Sequence, residues 1–286
     1  MEREIMKDFY YGGDSSFSFY LLKGEKNILV DSATLNRTEK LKDFLERNLK
    51  DGENLDYVLL THSHYDHCGG VPMLKEIFPK IEVWASERAA SIFSKEKARA
   101  FIKEMNRAEA GKEFKYDNYE TLKVDKILKE GDLISNGNFE FTIFETPGHT
   151  KCSISFYDKE KRILFPGDAV GIFEKNGKIK PLFFSNYSTY INSLKRLSEL
   201  EVNILALPHN RPVEGKKAKE FLKKSYEKTL EIGEKIKELL LKGDNEDSIV
   251  NNFLLKIFKK EDAIDQPMET FMLNLYSLVR AVAKEI

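Results

Sequence analysis

Only two cysteines and a single tryptophan occur in this chain of 286 residues. So few thiols exclude a disulfide scaffold and suit a reducing compartment, so a cytoplasmic setting is expected. An excess of one charge is missing as well. Lys and Arg number 46 against 47 Asp and Glu, a net charge of −1. That balance offers no electrostatic grip to a polyanion or an acidic membrane surface, so neither nucleic acid nor membrane is expected as a partner. No hydrophobic run approaches the length that crosses a bilayer, and Met1-Glu2-Arg3-Glu4 opens without an apolar secretion core. No internal repeat or low-complexity tract is evident. Histidine is scarce too, five in all, and their placement is the first positive signal.

Three histidines fall in Thr61-His62-Ser63-His64-Tyr65-Asp66-His67-Cys68-Gly69-Gly70, directly after the apolar run Tyr57-Val58-Leu59-Leu60. The other two sit in turn-like segments, Thr146-Pro147-Gly148-His149-Thr150 and Leu207-Pro208-His209-Asn210. Phe165-Pro166-Gly167-Asp168-Ala169 places a carboxylate after another apolar run. A lone histidine is usually a surface or satisfied core residue. Three imidazoles and a carboxylate within six residues point instead to metal ligation, here by five histidines and two aspartates for two divalent ions. Such donors suit zinc, iron or manganese and do not by themselves choose among them. Cys68 and Cys152 closely follow candidate ligands, but seven donors already fill two sites, so both are expected to be small packed thiols.

The remaining pattern alternates strands and helices. Residues 17–23 and 27–31 read as a hairpin around Gly24-Glu25. Residues 38–49 carry Leu41, Phe44, Leu45 and Leu49 at helical spacing. A short buried strand is expected at 57–60, a helix at 71–78 with Pro72 in its first turn, and a strand at 81–85 followed by Ser86 as a helix N-cap. Strands are expected at 139–144, 153–157, 162–165 and 203–207, and a helix at 189–200. Residues 93–132 read as a helix and a long connection, more a solvated insert than a cleft wall. From about residue 216 three amphipathic helices follow, whose apolar faces require cover from the rest of the chain or from a second copy, so a homodimer is left open.

The ordered set His62-x-His64-x-Asp66-His67, His149, Asp168, His209 resembles the metallo-β-lactamase superfamily of metallohydrolases, from Tyr20-Leu21-Leu22 and Ile28-Leu29-Val30-Asp31 through His209. The resemblance implies an α/β fold, an αββα metallo-β-lactamase sandwich with appended C-terminal helices. Residues 1–215 would form the hydrolase domain and 216–286 a helical extension packed on it. It implies one ion on His62, His64 and His149, a second on Asp66, His67 and His209, and Asp168 bridging them, with Asp66 and Asp168 as catalytic carboxylates. Asp31 would orient the ligand loops. Further stretches, Val71-Pro72-Met73-Leu74, Val83-Trp84-Ala85-Ser86-Glu87-Arg88 and Gly167-Asp168-Ala169-Val170-Gly171, are similar to the branch of the superfamily comprising the thioesterases of alkylquinolone signalling. One departure is that His209 is followed by Asn210 where relatives often carry glycine.

The implied activity is hydrolysis of a small-molecule ester or thioester. A metal ion brings the pKa of bound water from 15.7 to about 7, supplying hydroxide at neutral pH. A thiolate leaves readily, so a thioester needs little general-acid help. The same centre would also serve a phosphodiesterase or a lactonase, and a signalling effector with vestigial hydrolysis is the reading from a different class. An intact Asp168 argues against lactam hydrolysis, and its closeness to His209 leaves no room for the inserted domains of RNA-processing relatives. Tyr65, Tyr187 and Tyr190 are candidates to donate to a substrate carbonyl. Phe271 and Leu275 are candidates to line or support the pocket under the C-terminal helices.

Overall fold

The structure is a computed structural model that describes residues 2–14, 16–110, 115–263 and 266–286. Seven strands form the first sheet in chain order: β1 Arg3–Met6, β2 Phe9–Gly13, β3 Ser18–Leu22, β4 Ile28–Val30, β5 Tyr57–Leu59, β6 Glu82–Ser86 and β7 Lys126–Leu128. Strands β1 to β4 pair antiparallel, and β4 to β7 pair parallel. The second sheet combines β8 Leu133–Ser135, β9 Glu140–Glu145, β10 Ile154–Asp158, β11 Ile163–Phe165, β14 Ile204–Leu205 and β15 Val213–Glu214 in the order β15-β14-β11-β10-β9-β8. A separate two-stranded ribbon, β12 Ile172–Phe173 with β13 Ile179–Lys180, stands beside it.

Strand alternation assigns each side chain to a layer. In β3, Tyr20 and Leu22 join Phe139, Phe141, Phe156 and Phe165 of the second sheet in the core between the sheets. Phe19 and Leu21 face the other way, toward Leu41, Phe44 and Leu45 of α1 (Thr38–Asn48). Helices α2 (Tyr65–Cys68), α3 (Val71–Ile77), α4 (Glu87–Phe93) and α5 (Glu96–Ala110) complete that outer layer. Ser86 caps α4, accepting from the Ala89 amide at 3.2 Å. On the far side α6 (Tyr187–Ser198) and α7 (Lys216–Leu241) cover the second sheet. Next come α8 (Glu246–Ile249), a π-helical turn (Val250–Leu254), α9 (Leu255–Ile257) and α10 (Met268–Ala283). Phe221, Leu222, Leu275 and Val279 from these C-terminal helices share one buried cluster with Leu164, Tyr190 and Leu205. The architecture is the expected four-layer αββα sandwich with C-terminal helices packed on one face.

Candidate metal centre

The site residues stand where strands end. Behind the ligands Asp31 follows β4; of the seven candidate ligands, His62 and His64 follow β5, Asp168 follows β11 and His209 follows β14. The single turn of α2 then lifts Asp66 and His67 toward the same point. His149 comes from the β9–β10 connection. Its neighbour Gly148 has φ +129°, and a Cβ there would lie 2.3 Å from the Tyr190 Cα, so only glycine lets this loop approach α6 so closely.

All seven residues converge. Three groups each place their donor atoms within 4.8 Å of one another: His62, His64 and His149; His62, His67 and Asp168; Asp66, His67 and His209. Asp168 lies between them, with Oδ2 at 3.2 Å from His149 Nε2 and 3.7 Å from His67 Nε2, and Oδ1 at 3.6 Å from His209 Nε2. Asp66 Oδ2 is 3.6 Å from His209 Nε2.

Each ring is turned by its other nitrogen. Nδ1 of His67 donates to Asp31 Oδ2 at 2.8 Å, that of His149 to the Leu182 carbonyl at 2.7 Å, and that of His209 to the Ser16 carbonyl at 2.9 Å. Nδ1 of His62 meets Thr61 Oγ1 at 3.0 Å. These four therefore turn Nε2 inward, whereas His64 turns Nδ1, 3.0 Å from His149 Nε2. His62 Nε2, His67 Nε2 and Asp168 Oδ1 are buried without a hydrogen-bond partner among the described residues. Buried donors and acceptors are rarely left so. Ligand atoms held tetrahedrally at about 2.0–2.1 Å from one ion stand a little over 3 Å apart, so the spacing and the orphaned atoms fit divalent metal ions.

The electrostatics divide the cluster. Burial drives His62 and His149 down, and His64 to about 3, helped for His62 and His64 by neighbouring imidazoles. Burial also opposes charge on His67 and His209. For His67, Asp31, Asp66 and Asp168 outweigh it, and for His209, Asp168 and Asp66 do, so both are held up. Asp168 is itself held far below its usual range, because His209, His149 and His67 outweigh its burial. Cys68 and Cys152 are buried and free. Their sulfurs pack against the His64 carbonyl at 3.2 Å and Ser63 Oγ at 3.2 Å, and neither belongs to a ligand group.

The family model for the Metallo-beta-lactamase superfamily matches residues 11–209. The chain belongs to that superfamily. It is 31% identical over 206 residues to the acyl-coenzyme A thioesterase MBLAC2 of Gallus gallus, 68% of this chain and 71% of that protein. It is 32% identical over 145 residues to the hydroxyacylglutathione hydrolase GloC of Haemophilus influenzae, 50% of this chain and 61% of that one. The solved structure of ST1585, an archaeal superfamily protein from Sulfolobus tokodaii, matches with a TM-score of 0.62 at 19% identity, covering 94% of this chain and 93% of that one. The chain is accordingly an enzyme of hydrolase type.

A cleft of about 200 Å³ opens over His64, Asp66, His149, Asp168 and His209. Of the candidate substrate residues Tyr65 lines it, and Tyr187, Tyr190, Phe271 and Leu275 do not. Tyr190 is fully buried, its hydroxyl donating to the Asp168 carbonyl at 3.3 Å, and Tyr187, at the start of α6, packs against Gly233 and Glu234 of α7. Phe271 and Leu275 point into the core because the helical period sends them there, while Thr270, Leu273 and Asn274 of the same helix face the cleft. Within residues 93–132 the helix α5 corrects the expectation of a solvated insert, since its Phe101, Met105 and Glu109 line the cleft, while residues 111–114 lie outside the described residues. A usable signal was present: Phe101 and Leu273 are apolar side chains off their helices' core stripes, 66% and 54% exposed. Asn210 also gains a role. It takes the left-handed conformation (φ +73°) that glycine would supply, and its amide clasps Phe173 of β12, accepting from the amide nitrogen at 2.9 Å and donating to the carbonyl at 3.0 Å.

Proposed function

We propose that this chain is a binuclear metal-dependent thioesterase acting on a small acyl thioester. The observation that carries the reading is the convergence of three donor groups, one of histidines alone and two of histidine with aspartate, along a narrow cleft lined by Asp168. His62, His64 and His149 would hold one ion, Asp66, His67 and His209 the other, and Asp168 would bridge them. Zinc or iron suits these donors, with manganese also compatible. Bound there, the ions supply Lewis-acid chemistry, readying water as nucleophile near neutral pH and offsetting oxyanion charge.

The chain's own residues do the rest. Asp31 and the Leu182 and Ser16 carbonyls fix the ligand rings, which keeps the centre preorganised. Asp66, the carboxylate most open to the cleft, would take up the proton released from water on the oxygen that does not hold the ion. Phe101, Phe184 and Leu273 surround the acyl group and limit water. The names of the chicken and Haemophilus relatives both describe cleavage of an acyl thioester, which favours sulfur over oxygen as leaving atom.

The test is turnover by purified protein of acyl-CoA, hydroxyacylglutathione, lactone and bis-aryl phosphate substrates, with metal content measured in parallel. Thioester turnover that disappears in Asp168→Asn, with about two divalent ions per chain, is expected from this reading. Hydrolysis confined to phosphodiesters or lactones would overturn the thioester assignment, and binding of a protein partner by ligand variants without any turnover would favour an effector.

A further inference from the structure

The β12–β13 ribbon stands between the cleft and the surface. Strand alternation turns Ile172 and Lys180 to the cleft and Phe173 and Ile179 to the other side. Lys180 is 1% exposed, and its Nζ has no hydrogen-bond partner among the described residues. Lysine is almost never buried this deeply unless paired. Two rings stand near it, their centroids 4.6 Å (Phe271) and 5.8 Å (Phe258) from Nζ. Glu174, also buried, leaves both carboxylate oxygens without a hydrogen-bond partner among the described residues, so the pair does not close. Burial lowers the Lys180 pKa and raises that of Glu174, each only partly countered by the other's charge. Neither residue has a role in the metal centre.

We propose that Lys180 is an anion receptor in the wall of the cleft, selecting acyl groups that carry a terminal carboxylate. The inference rests on the thioesterase reading for its substrate, and it names the acyl arm rather than the leaving group for two reasons. Lys180 and Asp168 belong to the lining of the same narrow cleft, so an acyl chain held there beside Asp168 would lie against the ribbon that carries the lysine. The wall offers neutral polar groups, Thr270, Gln266 and Asn274, and its other cation, Arg37, is already paired with Glu109 at 2.8 Å, so the lysine ammonium suits a carboxylate better than a phosphate dianion. Asn274 Nδ2 and Gln266 Oε1 are 3.1 Å apart, so this wall is already a small polar network. The ammonium lies just under the cleft lining, and its four-carbon stem lets it turn toward an incoming charge.

Matched thioesters of one carrier test the proposal: succinyl against butyryl, and glutaryl against valeryl. The wild-type protein should prefer the carboxylated member of each pair. Lys180→Met, close in size and uncharged, should cut the ratio of kcat/KM values by about 10- to 100-fold, the effect of losing a charged hydrogen bond. Lys180→Gln, which keeps a donor but no charge, should fall between. Thermal stabilisation by free glutarate gives a readout independent of turnover and should be larger for wild type than for either variant. No wild-type preference, or a ratio and a glutarate effect unchanged by both substitutions, would overturn the receptor and leave a purely internal Lys180–Glu174 pair. Lys180-dependent glutarate binding without hydrolysis of any thioester would instead overturn the thioesterase reading and keep the receptor.

Discussion

Asp31 offers the sharpest test of how the centre is held. It lies behind the ligands, at the end of β4, with φ +56°. Its carboxylate accepts from the Thr61 amide at 2.8 Å, the Thr61 hydroxyl at 2.9 Å and His67 Nδ1 at 2.8 Å. Asp31→Ala would strand two buried N–H donors. At about 1–3 kcal/mol each, that is a loss of about 2–6 kcal/mol, a large part of a domain's stability. The Thr61 hydroxyl loses an acceptor as well, because His62 Nδ1 at 3.0 Å carries the proton when Nε2 faces an ion, so the loss falls toward the upper end. Asp31→Asn is the discriminating change. Its Oδ1 can keep the Thr61 amide, but its NH2 then meets His67 Nδ1. The His67 ring must accept there and carry its proton on Nε2, the nitrogen aimed at Asp66 and Asp168. Metal affinity of Asp31→Asn should fall about 10- to 100-fold while the fold survives. Competition with a chromogenic chelator measures the affinity, and urea unfolding in excess chelator measures the stability separately. An Asp31→Asn protein that holds metal as tightly as wild type would refute the orienting role.

Four further outcomes follow from the geometry. Asp168→Asn should weaken one of the two sites and lower turnover by at least about 100-fold, checked by metal stoichiometry and kcat. Metal-free His67 and His209 are held protonated upward by their aspartates, so ions must displace protons and apparent metal affinity should climb as pH rises from 6 to 8, seen in chelator competition across that range. Gly148→Ala combines a positive φ with a collision against Tyr190 and should cost about 2–5 kcal/mol, read as a lowered Tm. A chain ending before Lys216 loses Phe221, Leu275 and Val279 from the cluster on the second sheet and should be recovered mostly insoluble, as the soluble fraction on expression will show.

Much of this site is legible in the sequence because metal ligands at strand ends are local signals. His62, His64 and His67 are neighbours in the chain, and Asp168 and His209 each follow an apolar run. The cleft walls are less legible because they depend on which face of a helix meets a distant element. The spacing of Phe271, Leu275 and Leu278 marks a buried stripe correctly, yet that stripe packs on the sandwich, and the adjacent Thr270 and Asn274 meet the cleft. Several strands escape notice for a related reason. The ribbons β1–β2 and β12–β13 and the edge strands β7, β8 and β15 are short or partly exposed, so their alternation is too brief to separate from a loop. Asn210 reads as an anomaly in the chain and becomes a brace only when Phe173 is beside it.

Every one of the three donor groups draws on both sheets: His149, Asp168 and His209 come from the second, the others from the first. Already the seam between them is stitched by the Ser18 amide to the Pro208 carbonyl at 2.8 Å, the Tyr20 hydroxyl to the Leu207 carbonyl at 2.7 Å, and the Ile154 amide to the Thr61 carbonyl at 2.9 Å. Ions in this position would act as rivets through two plates. Stripping them would loosen the whole sandwich along its seam rather than one loop, and neither half of the chain, made alone, would possess a complete socket for either ion.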